Sequence, residues 1–161
     1  MSGFIGIEVD TLLRSPVGEF ARIADVGSYS GDASHVPGAI ELSVHGAVVL
    51  DRELWDDVDW LWPYVIQAID ECLAFGLGER YFPDQPIVFR VERIGDRRLM
   101  FTVQGGAIDR MVAADTAELL AAVAEAALDF FDHLERLVPG SEATFVEEIA
   151  RVRSWAVQRG G

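Results

Sequence analysis

Between Thr116 and Val138 the chain sets one apolar stripe at helical spacing. Leu120, Val123, Ala127, Phe130, Phe131, Leu134 and Leu137 share a side, with Glu118, Glu125, Asp129, Asp132 and Arg136 opposite. A helix of this length cannot leave such a stripe in water, so the rest of the chain must supply a surface that covers it. Its ends are written as clearly as its middle. Asp115 stands at the N-cap with Glu118 three residues on, and Pro139-Gly140 stops it.

The covering surface is specified upstream by a different period. Ile87, Phe89 and Val91 alternate with Arg90 and Glu92. After a Gly95-Asp96 turn, Leu99, Phe101 and Val103 alternate with Met100, Thr102 and Gln104. Ile40, Leu42 and Val44 alternate with Glu41, Ser43 and His45, and His45-Gly46 reads as a tight turn into Ala47–Leu50. Residues 107–113 read as a weaker strand and residues 3–9 as a short one, while Pro16 and Gly18 interrupt the pattern up to Val26. Gly27 to Gly38 reads as a loop, and Gly76 to Pro86 as a second loop.

Two further helices are expected. One lies within Trp60–Phe75, with Pro63 required in its first turn, where the missing N–H does no harm. The other spans about Thr144 to Ala156, with Thr144 and Glu147 at capping-box spacing. One apolar face per strand implies an α+β fold. The expected form is an antiparallel sheet of about five strands (two hairpins), covered on one face by three helices, in two layers. The 161 residues fit one domain (1–161), with residues 1–37 left without an assigned packing.

Composition narrows the function classes. No apolar run approaches the roughly 18–20 residues that span a bilayer. The first ten residues lack a basic stretch leading into an apolar one, and Cys72 has no second cysteine to pair with. The expectation is a cytoplasmic protein without a disulfide. There are 27 carboxylates against 13 basic residues, for a net charge of −14. Every basic residue is Arg, as a GC-rich genome would produce. This balance argues against nucleic acid and anionic membranes as partners, and in favour of a basic protein. It is also what keeps an abundant protein dissolved.

The charge is not evenly spread. Asp51 to Glu71 holds seven carboxylates and one Arg, with three Trp among them, whereas Arg90 to Arg98 carries four Arg against Glu92 and Asp96. Two readings of the acidic segment stand. Trp55, Asp56, Asp57, Asp59 and Trp60 form an interface for a basic protein, aromatic anchors among carboxylates. Alternatively, the Asp residues cap a helix and the Trp residues are core. Tyr81 and Phe82, among turn residues, are a second candidate contact surface, or else a plug at the end of the core.

Catalytic signals are weak. Asp57 and Asp59 alternate as calcium ligands do, but no loop glycine or closing Glu follows, so no metal is expected. Asp129 and His133 sit one helical turn apart as an oriented pair. With Arg90 and Tyr81 they define a candidate ligand pocket between helices and sheet. Cys72 falls in an apolar stripe and reads as a buried hydrophobe. No nucleophile elbow, phosphate loop, dinucleotide fingerprint or zinc spacing occurs, and no cofactor is expected. The leading expectation is a non-enzymatic acidic module binding a basic protein, of the inhibitor or immunity type. The alternatives are a small-ligand binder or enzyme, and a homo-oligomeric structural subunit.

Overall fold

The computed structural model describes residues 6–160, so residues 3–5 of the expected first strand lie outside the described residues. The fold is α+β, with nine strands in two antiparallel sheets where one sheet of about five was expected. The first sheet has the order β2 (Phe20–Arg22), β1 (Ile7–Arg14), β3 (Pro37–Val44), β4 (Ala47–Leu50). The two-residue β5 (Asp56–Asp57) also pairs with β3. The second is a meander of β6 (Leu77–Tyr81), β7 (Val88–Ile94), β8 (Arg98–Gly105) and β9 (Ile108–Asp115).

The two unanticipated strand regions have physical explanations. Pro16 and Gly18, which break the N-terminal pattern, form the turn between β1 and β2. There Gly18 adopts φ +85° and its N–H donates to the Ser15 carbonyl at 2.9 Å. In β6 the inward positions are Gly78 and Arg80, while Leu77, Glu79 and Tyr81 point outward. A strand whose core face carries a glycine and an arginine has no apolar alternation to read. The His45-Gly46 turn is as expected, with positive φ at both residues (49° and 88°), the conformation that matches strand twist.

Three helices join the sheets. Helix α1 (Val58–Phe75) packs on β6, β7 and β3, α2 (Thr116–Leu137) on β1 and β9, and α3 (Val146–Gly160) on α2 and α1. Buried apolar side chains from both sheets and all three helices form one continuous cluster. Asp115 caps α2 by accepting the Glu118 N–H at 3.0 Å. No helix among the described residues is long and apolar enough to cross a membrane.

Pro63 corrects the sequence reading, because it is the sixth residue of α1 rather than a first-turn residue. The helix starts at Val58 because a reciprocal clamp holds it there. The Val58 N–H donates to the Val36 carbonyl (2.8 Å), and the Val36 N–H donates to Asp59 Oδ1 (2.9 Å). Burial of the proline ring in the helix interface offsets the helical bond it cannot make.

Deep in the core, Trp62 Nε1 donates to Thr11 Oγ1 at 2.9 Å, which ties α1 to β1. Thr11→Val keeps the shape of the side chain and orphans that buried N–H. A loss of about 1–3 kcal/mol is expected, read as a lower urea midpoint with an unchanged m-value.

Candidate functional site

The acidic, tryptophan-rich segment folds inward. Asp56, Asp57 and Asp59 are 3%, 9% and 7% exposed. Asp56 accepts the backbone N–H groups of Asp57 (2.7 Å) and Asp84 (3.0 Å). Asp57 Oδ2 pairs with His35 Nδ1 at 3.1 Å, and Asp59 holds Val36. The three carboxylates are therefore internal acceptors that gather the 28–36 loop and the 82–86 turn around the start of α1. Buried in this way, they do not form the exposed acidic surface that the interface reading expects. Desolvation is the reason they hold these bonds: a buried carboxylate requires compensating donors.

The tryptophans serve the same junction. Trp60 Nε1 donates to the Ser34 carbonyl at 2.7 Å, and its ring stacks on His35 with centroids 6.3 Å apart. The Arg14 guanidinium lies 4.0 Å above the Trp55 ring. Both indoles stay partly exposed, at 37% for Trp55 and 44% for Trp60.

The electrostatics follow from burial. Desolvation raises the Asp56 and Asp57 carboxyls and pushes Asp59 up to about 6. His35 is raised chiefly by its hydrogen bond to Asp57. Oxygens of Asp56, Asp57 and Asp84 lie close enough together to suit a hard cation. Those of Asp56 and Asp57 are, however, already engaged by the N–H groups and imidazole just named. Burial also raises the Cys72 thiol, consistent with its reading as a packed hydrophobe.

The other sequence candidates are separated. Phe82 is buried, whereas Tyr81 is exposed on β6, the edge strand of the second sheet. Arg90 shares the outer face of that sheet with Glu79 and Thr102, its register partners. His133 sits on α2 beside Asp129 (3.5 Å), with Arg136 approaching its Nδ1 at 3.1 Å. Arg136 also donates to the carbonyls of Ile23 and Val26. Arg90, Asp129 and His133 therefore do not converge on one pocket, because β7 turns Arg90 away from the helical layer.

Two concavities were not read from the sequence. An open groove of about 750 Å³ runs between β1, β3, β4 and α2. Six carboxylates line it, those of Glu8, Asp10, Glu41, Asp51, Glu125 and Asp129, with Arg22 as the basic member. Three of the six pair with arginine, Asp10 with Arg22, Glu41 with Arg52 and Asp51 with Arg110, and Asp129 lies 3.5 Å from the His133 imidazole. Glu8 and Glu125 have no cationic partner among the described residues. A cleft of about 490 Å³ lies between the 33–34 loop, α1 and the α2–α3 connection, with Trp60, Tyr64 and Phe145 in its walls.

No family model, curated protein or solved structure matches this chain. The two concavities and the junction at the start of α1 are the features the chain offers for function. Sequence spacing pointed to neither. The groove carboxylates come from two strands, a post-strand loop and a helix far apart in the chain. Of the cleft residues, Asp59, Trp60, Pro63, Tyr64 and Gln67 belong to the acidic segment singled out by composition, and the others come from the 33–34 loop, α2, the α2–α3 connection and α3.

Proposed function

We propose that this chain is a non-enzymatic module that engages a basic protein partner through the groove between β1, β3, β4 and α2. The observation that carries this reading is the lining: six carboxylates face one arginine in a chain of net charge −14. Glu8 and Glu125, without a cationic partner among the described residues, offer their charge to an incoming Arg or Lys. The paired members keep partners that a stronger cation can displace. Such a surface raises the encounter rate with a basic protein more than it raises affinity, and salt screens it. An inhibitor or immunity-type protein that covers the basic surface of a toxin is one form this activity takes.

The test uses the wild-type chain and a Glu8→Gln/Glu125→Gln variant as parallel baits in extract of the native host. The expected result is a basic protein retained by wild type at low salt and released at high salt. With that protein purified, the double variant associates several-fold more slowly and with a shallower salt dependence. Equal association rates and salt slopes for the two baits would remove the groove as the contact surface.

A further inference from the structure

The cleft beside the start of α1 is separate from the acidic groove and has the make-up of a small-ligand site. Its volume of about 490 Å³ lies within the span of roughly 300–1,000 Å³ that such sites occupy. Trp60, Tyr64 and Phe145 supply aromatic walls, with the Trp60 and Tyr64 rings 6.5 Å apart edge to face.

Two carboxylates, Asp59 and Glu148, open onto this space, and no arginine or histidine is in its lining. Neither carboxylate has a cationic partner among the described residues. Asp59 accepts the Val36 N–H, and Glu148 accepts the Gln67 amide at 3.2 Å. Arg80, which reaches the other end of Gln67, is already paired bidentately with Glu71 at 2.9 and 2.6 Å. One polar group of a cleft residue does lack a hydrogen-bond partner among the described residues: Ser141 Oγ, which is closed to solvent.

We propose that this cleft binds a small organic ammonium ion. The charged head neutralises Asp59 and Glu148 and meets the electron-rich aromatic walls, while an apolar body lies along those walls. An anion is excluded by the two carboxylates, and a neutral apolar molecule would desolvate them without compensation. The same chemistry is carried by a free amine and by a lysine side chain of a protein partner, so the test separates the two.

The chain is titrated while the indole N–H of Trp60 is followed by NMR, that signal being assigned from a Trp60→Phe variant. The probes are phenethylamine, its neutral counterpart 2-phenylethanol, and N-acetyl-lysine methylamide. The expected result is a saturable shift with phenethylamine, at an affinity about tenfold above that of the alcohol. Glu148→Gln, on a helix surface where the amide keeps its Gln67 contact, should remove most of that preference. Tyr64→Leu should weaken both the amine and the alcohol. A lysine derivative that binds more tightly than phenethylamine assigns the site to a protein side chain, and the reverse order assigns it to a free amine. No saturable shift with either amine, or an alcohol that binds as well as the amine, overturns the proposal. Because the acidic groove lies elsewhere, neither result alters the reading of that surface.

Discussion

Gly78→Ala is expected to lower the stability of this protein by more than about 3 kcal/mol, the largest effect of any single methyl group added here. A Cβ at position 78 would overlap the carbonyl oxygen of Ala68, and it would sit 2.7 Å from the Ala68 carbonyl carbon and 3.0 Å from its Cα. All three are backbone atoms of α1, so no side-chain rotation relieves the clash. Either the helix must lift from β6 or the strand must leave the sheet. Lifting α1 would unseat Ala68, Ile69 and Cys72, each 0% exposed. In a domain of this size the loss corresponds to a fall in Tm of about 6–12 °C. Gly27→Ala is the control, since a Cβ there meets nothing within 4 Å and the backbone is not left-handed. It should stay within about 0.5 kcal/mol of wild type. If Gly78→Ala unfolded at the wild-type urea midpoint, α1 would not be seated directly on β6.

Stability should fall as pH rises from about 4 to about 7, the reverse of what carboxylates paired in the folded state produce, and Asp59 should carry the largest share. Burial holds its carboxyl at about 6 against 3.8 in the unfolded chain. Below about pH 4 it is protonated in both states and has no effect. Between those values the folded form keeps a proton that the unfolded chain releases, so each step up in pH favours unfolding. Above about pH 6 both forms are ionised and the full desolvation penalty remains. A shift of this size amounts to about 3 kcal/mol.

Asp56 and Asp57, raised by the same burial, act in the same direction. His35, raised by its bond to Asp57, stabilises most below its ordinary value and loses that contribution as pH rises through its folded one. Glu71 and Glu135 act oppositely. Arg80 holds Glu71 low, and the Gly140 and Glu142 N–H groups hold Glu135 low, so their support is lost as pH falls below the usual glutamate range. The stability maximum therefore lies on the acid side of neutral.

Asp59→Asn keeps an oxygen for the Val36 N–H and removes the charge. It should gain up to about 3 kcal/mol at pH 8, little at pH 4, and flatten the profile between them. Urea unfolding at several pH values measures this. A wild type more stable at pH 8 than at pH 5, unaltered by Asn at position 59, would show that the carboxylate is solvated rather than buried.

The site was less legible than the fold because charge and aromaticity describe a segment without saying which way it faces. Asp51 to Tyr64 has the composition of an interface. In the structure Asp56 and Asp59 turn inward to collect backbone N–H groups from Asp57, Asp84 and Val36, and Asp57 turns inward to the His35 imidazole. Two of those backbone donors lie more than twenty residues away, and capping geometry gives no hint of them. Trp60 is the exception, because it serves the junction with its indole N–H and still presents its ring to the cleft. Arg90 and His133 were grouped by chemistry alone, and the strand parity of β7 separates them.

Local periodicity by itself determined the α+β class, the cap of α2 at Asp115, the β7–β8 hairpin and the left-handed turn at His45-Gly46. Each depends on contacts within a few residues or on which side of one element is apolar. Only the tertiary structure decided that the strands divide into two sheets, that β6 exists, and that α1 begins at Val58 with Pro63 inside it. The last two outcomes rest on partners that helical or strand periodicity does not bring together: Ala68 against Gly78, Glu71 against Arg80, and Val36 against Val58 and Asp59. The acidity evident in the sequence is likewise sorted by tertiary contacts alone. Part of it is buried as internal acceptors around α1, and part lines the groove beside α2.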